Sequence, residues 1–114
     1  MGHAHPTRLA TRLAILVFMN DYETAKAGGP HHGFWKEKSK LPNHLIEKSI
    51  RSIEKQIALH ESWIAKPYSK LSPDIDARQV ADLVNEKWPQ DIQRQREQVQ
   101  ILRGILNERK TRTP

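Results

Sequence analysis

Two imidazoles in different settings are the side chains of this chain best matched to proton transfer near neutral pH. His31 stands in the run Gly29-Pro30-His31-His32-Gly33-Phe34, where flanking glycines let a substrate backbone approach closely. His60 follows Ser52 and Gln56 at intervals of four, so the three line one polar strip of a helix. Two imidazoles are the minimum for a ribonuclease that works without metal. One takes the proton of the ribose 2′-hydroxyl and the other protonates the leaving oxygen. Arg51 or Lys55 would then stabilise charge on the phosphate. Ser52, Gln56, His32, Trp35 and Lys36 are the supporting or substrate-binding candidates around this pair. Each feature also has a structural reading. His60 fits a packed histidine bonded across to a neighbouring helix, at Gln95 or Gln98, and the histidine pair fits an exposed loop.

The elements that must hold these residues read as helices. Ile46, Ile50, Ile53, Ile57 and Ile64 recur at spacings of three and four, which predicts a helix over 43–66 with one buried stripe. Asn43 suits its N-cap, Glu47 its first turn, and Pro67 ends it. His60 falls on that stripe between Ile57 and Ile64. Ile92, Val99, Leu102 and Leu106, widened by Ile101 and Ile105, predict a second long helix from Pro89 to about Arg109, with Gln95 where an apolar residue is expected. Asp74 or Asp76 caps a shorter helix to Trp88 that buries Val80, Leu83 and Val84. A first helix is predicted over 7–27, capped by Thr7 and stopped by Gly28-Gly29-Pro30, although Ile15 to Phe18 also suits a short strand. Residues 28–42 read as an irregular loop.

The expected architecture is therefore all-α: a long antiparallel helical hairpin with an additional N-terminal helix and a short bridging helix. Residues 1–27 form an N-terminal extension, 28–109 the helical domain, and 110–114 a frayed basic tail.

At 114 residues there is room for one domain. Nineteen Lys and Arg against thirteen Asp and Glu give a net charge of +6, which favours nucleic acid, an acidic protein or a membrane surface as partner. The absence of cysteine removes disulfides, thiol catalysis and cysteine-ligated zinc. Leu13 to Met19 is the longest apolar run and is far shorter than the ~20 residues of a membrane span. Asp21 and Glu23, where a cleavage site would fall, argue against a secretory signal. His3, His5, His31, His32, His44 and His60 are available to a metal, but no pair has the spacing of a zinc motif, and no metal or cofactor is assigned. Phosphate-binding glycine loops and nucleophile elbows are absent from the sequence. Trp35, Trp63 and Trp88 suit base stacking or helix packing, and for the last two packing is expected.

The glycine-flanked histidine loop, followed by Ile50-Arg51-Ser52-Ile53-Glu54-Lys55-Gln56-Ile57, His60 and Pro67, then Trp88-Pro89-Gln90-Asp91-Ile92, Gln98 and Leu102-Arg103-Gly104-Ile105-Leu106, resembles a small C-terminal domain of bacterial polymorphic toxins, of the contact-dependent inhibition and rearrangement-hotspot kinds. The likeness covers about residues 28 to 106 and carries over His31, Ser52, Gln56 and His60, with His32 at the variable position of the loop motif. It implies a growth-inhibiting nuclease, RNA favoured over DNA, delivered from a producing bacterium into the target-cell cytoplasm and neutralised by a cognate acidic immunity protein. A non-enzymatic basic helical module binding nucleic acid or an acidic protein is the alternative. A metal-dependent DNase of the HNH type, suggested by His31-His32 alone, is a third reading.

Overall fold

A computed structural model describes residues 20–112. Five helices follow one another: α1 Asp21–Lys26, α2 His32–Lys38, α3 Asn43–Ala65, α4 Ala77–Asp82 and α5 Trp88–Arg112. A 3₁₀ turn at Pro67–Ser69 follows α3, and a π turn at Leu83–Lys87 joins α4 to α5. There is no strand among the described residues, and the fold is all-α as the periodicity predicts.

α3 and α5 form the antiparallel hairpin. Glu61 pairs with Arg96 and Glu54 with Arg103, each at 3.0 Å, so residue numbers fall on one helix as they rise on the other. Glu47 and Lys110, seven residues further along each helix, line one groove and extend the same register. Exposed pairs of this kind contribute only about 0.2–1 kcal/mol each, so their value lies in fixing register. The stability comes from Ile46 and Ile50 of α3 against Val99, Ile101, Leu102 and Ile105 of α5, with Ala25 of α1 sealing the end. Ile53 and Ile57 pack at the margin of that core, and Ile64 is half-buried.

Several expectations change. The helix over 7–27 is not continuous, because Asn20 is extended and its side chain accepts from the Glu23 N–H to start α1; Thr7 and residues 8–19 lie outside the described residues. The 28–42 segment contains α2, since a helical turn is the conformation that lets Phe34 and Trp35 both pack on the core. Pro42 takes the cap position of α3, leaving Asn43 in the first turn, where its side-chain Oδ1 accepts from the Arg109 guanidinium at 2.6 Å. Finally, no break separates the short helix from the last one. Pro89 lacks an N–H and its ring crowds the carbonyl four residues back. The wider π turn just before it carries the helix past that conflict, giving one continuous rod over 77–112. Asp76 is the cap of α4, accepting from the Arg78 N–H. The tail expected to fray is helical through Arg112. Val80, Leu83 and Val84 are half-buried rather than sealed.

Candidate functional site

His31 ends the glycine turn with φ 67°, a left-handed conformation uncommon for a residue with a side chain. That conformation caps α2 and turns the imidazole toward α5, where Nε2–H donates to Glu97 at 2.6 Å. Gln93 donates to the other Glu97 oxygen at 3.1 Å. The hydrogen bond from His31 holds the Glu97 carboxyl below the usual glutamate range, against a smaller opposing effect of burial. The His31 side chain keeps 24 % of its surface exposed, so an imidazole oriented by a carboxylate stands at the surface with no hydrogen-bond partner at Nδ1 among the described residues. His32 is fixed differently. Its Nδ1–H donates to the Ala25 carbonyl at 2.8 Å and its ring stacks on Trp35, centroids 5.6 Å apart. Trp35 is half-buried with an indole N–H that has no partner, and Lys36 is exposed.

His60 is held separately, on α3. Nδ1–H donates to the Gln56 carbonyl at 2.8 Å, Nε2 lies 3.6 Å from Asp91, and the ring meets the Trp63 ring edge-on at 4.8 Å. Trp63 leans on the buried Trp88 at 5.7 Å, and the Lys70 ammonium sits 4.8 Å from the Trp63 centroid. Asp91 also receives Arg94 at 3.1 Å and Lys87 at 3.8 Å. The partner of His60 across the hairpin is thus Asp91, not Gln95 or Gln98. Gln95 is buried with its Oε1 unpartnered.

The two imidazoles are not brought to one site. Their carboxylates, Glu97 and Asp91, are six residues apart on α5, which separates them by about 9 Å along the axis and about a third of a turn around it. Each ring faces its own acid, and the expectation of a shared two-histidine centre is corrected on that geometry. Arg51 and Lys55 do not flank His60 either. They precede it on α3 by about 14 and 8 Å of helix rise and point from the outer surface. The Gln56 side chain is exposed, so it is the backbone carbonyl that serves His60. Among the described residues no group of three His, Asp or Glu side chains is placed to hold a metal; His3 and His5 lie outside them.

What the structure does assemble is a sorted helix. His44, Lys48, Arg51, Ser52 and Lys55 are all exposed and fall within an arc of about 100° on α3. The acids Glu47, Glu54 and Glu61 lie together on the flank facing α5, two of them bound by arginines there. No carboxylate among the described residues pairs with Lys48, Arg51 or Lys55. A cationic face therefore looks outward, bordered by a groove of about 330 Å³ in which Arg51 and Lys110 stand with Glu47 and with Arg103, the last already paired with Glu54.

Comparisons with models of protein families, with curated proteins and with solved structures find no match to this chain. Among the described residues no helix is long and apolar enough to cross a membrane. The β-hairpin on which an HNH site would be built is not present among them.

Sequence reasoning did not single out Glu97, Asp91 or the Glu54–Arg103 and Glu61–Arg96 rungs. The rungs carried a usable signal: acids at 47, 54 and 61 and cations at 96, 103 and 110 repeat with the same period of seven.

Proposed function

We propose that this chain is a nucleic-acid-directed domain of the polymorphic-toxin type, which engages the phosphate backbone of RNA through the outer face of α3. One observation carries this reading: Lys48, Arg51 and Lys55 share one exposed face and none of them is in an ion pair, while Glu54 and Glu61 of the same helix are paired with arginines of α5. A face of this kind releases counterions from a phosphate backbone without reading its sequence. Delivery into a target-cell cytoplasm and neutralisation by an acidic immunity protein belong to the same proposal. The test is fluorescence anisotropy with single-stranded RNA, duplex DNA and a polyglutamate peptide. RNA is bound most tightly, and Arg51→Glu/Lys55→Glu removes that binding with the helical content unchanged. Preference for the peptide would replace the nucleic-acid reading with an acidic-protein one.

The His31–Glu97 pair favours a second reading, that the domain also cleaves RNA. Backbone strain in a non-glycine residue is retained where surrounding contacts enforce it, and such positions cluster at functional sites. In this reading His31, held by Glu97, takes the proton of a ribose 2′-hydroxyl as that oxygen attacks the adjacent phosphorus, water in place of a second imidazole protonates the departing 5′-oxygen, and His60 is outside the reaction. Expression of the chain in a bacterial host, with total RNA and genomic DNA followed as growth stops, tests it. Fragmented RNA with His31→Ala inactive and His60→Ala active supports the reading; RNA that stays intact ends it.

A further inference from the structure

A second feature of α3 adjoins the basic face on the side toward α2, sharing Lys48 and Ser52 with it. Phe34 and Lys38 of α2 and Lys48, Ser49, Ser52 and Ile53 of α3 enclose a cleft of about 320 Å³. Helical serines usually return their hydroxyl to a backbone carbonyl in the preceding turn. Here Ser39, Ser62 and Ser69 do so, and Ser72 accepts from the Asp74 N–H. Ser49 and Ser52 have no hydrogen-bond partner, and both line this cleft. They stand three residues apart, about 4.5 Å along the helix, so two hydroxyls open on the same side of one turn. Two ammonium groups flank them. Lys38 lies 5.8 Å from the Phe34 ring centroid, which holds it at the cleft wall, and neither Lys38 nor Lys48 has a carboxylate partner among the described residues. Phe34 and Ile53 supply apolar walls that strengthen any charge interaction made beside them.

We propose that this cleft seats a single phosphate group, with the Ser49 and Ser52 hydroxyls donating to its oxygens and Lys38 and Lys48 balancing its charge. The proposal rests on the nucleic-acid reading for the source of the phosphate, which is either an internal phosphodiester or the terminal phosphomonoester of a strand. It makes the α2–α3 cleft a point of register for a strand whose backbone runs along the basic face.

The full chain, ¹⁵N-labelled, is titrated with inorganic phosphate, then with a short single-stranded RNA bearing either a 5′-phosphate or a 5′-hydroxyl. Phosphate moves the Ser49 and Ser52 amide resonances saturably. Ser49→Ala/Ser52→Ala, which keeps a good helix former at both positions, weakens phosphate and RNA binding by about tenfold or more. Lys38→Gln, outside α3, has an effect in the same direction. Tighter binding of the 5′-phosphorylated strand, lost in the serine variant, assigns the cleft to a terminal monoester. Equal binding of the two strands, weakened equally in that variant, assigns it to a diester. Phosphate that leaves the Ser49 and Ser52 resonances unmoved overturns the cleft, even where Arg51→Glu/Lys55→Glu still abolishes RNA binding. Phosphate that binds at the two serines while no RNA binds leaves the cleft standing and overturns the nucleic-acid reading alone.

Discussion

Glu97 and Gln95 lie two residues apart on α5 and teach opposite lessons about polar groups at the edge of a core. Glu97 is fully engaged by His31 and Gln93, and its carboxyl is held below the usual range by the first of these. A carboxyl lowered by folding contributes stability above the ordinary glutamate range and loses it as pH falls through its lowered value. Glu97→Gln is therefore expected to cost about 0.5–1.5 kcal/mol at neutral pH, with the gap to the parent chain closing as pH falls below the ordinary glutamate range. Urea unfolding at both pH values checks this. Gln95 is 8 % exposed with an unpartnered Oε1 in an otherwise apolar stripe. Gln95→Met, similar in volume, removes that orphan acceptor and is expected to raise stability by about 1 kcal/mol, read as a higher Tm. The sequence pattern already marks Gln95 as out of place and His60 as needing a partner across the hairpin. It does not reveal which partner, because the periodicity of one helix carries no information about its register against another.

At the scale of elements, the isoleucine stripe of α3 and the aliphatic stripe of α5 are legible because each is a long run at helical spacing. α2 is not: seven residues containing Gly33, behind two glycines and a proline, look like punctuation, and only burial of Phe34 and Trp35 makes them helical. The π turn is hidden for a similar reason, since Pro89 signals a helix start as readily as an interruption. Gly104 shows how packing between elements decides a residue. A glycine inside a long helix normally costs about 1 kcal/mol relative to alanine. Here a Cβ at 104 would overlap the Tyr22 ring of α1, so the close approach of α1 to α5 requires glycine. Gly104→Ala is accordingly expected to destabilise, by about 1–3 kcal/mol despite its better helix propensity. A Tm above that of the parent chain would show that α1 does not dock on α5 as described.

Across the whole molecule, a net charge of +6 becomes informative only once its distribution is known. The composition points to an anionic partner but does not say where. The fold shows how that charge is distributed, with Glu54 and Glu61 paired to arginines of α5 and Lys48, Arg51 and Lys55 outward. Arg51, Lys55 and Ser52 are thereby brought to one face, as candidates for phosphate contact, while His31 and His60 are parted by the length of chain between Asp91 and Glu97.

The most direct measurement is the salt dependence of RNA binding by the parent chain and by a charge-neutral Arg51→Gln/Lys55→Gln variant. Each phosphate contact to a single strand contributes about 0.7 to the slope of log K against log salt. The cationic face predicts that the variant loses about 1.4 from that slope, together with affinity at low salt. Identical slopes for the two proteins, with RNA still bound, would contradict it.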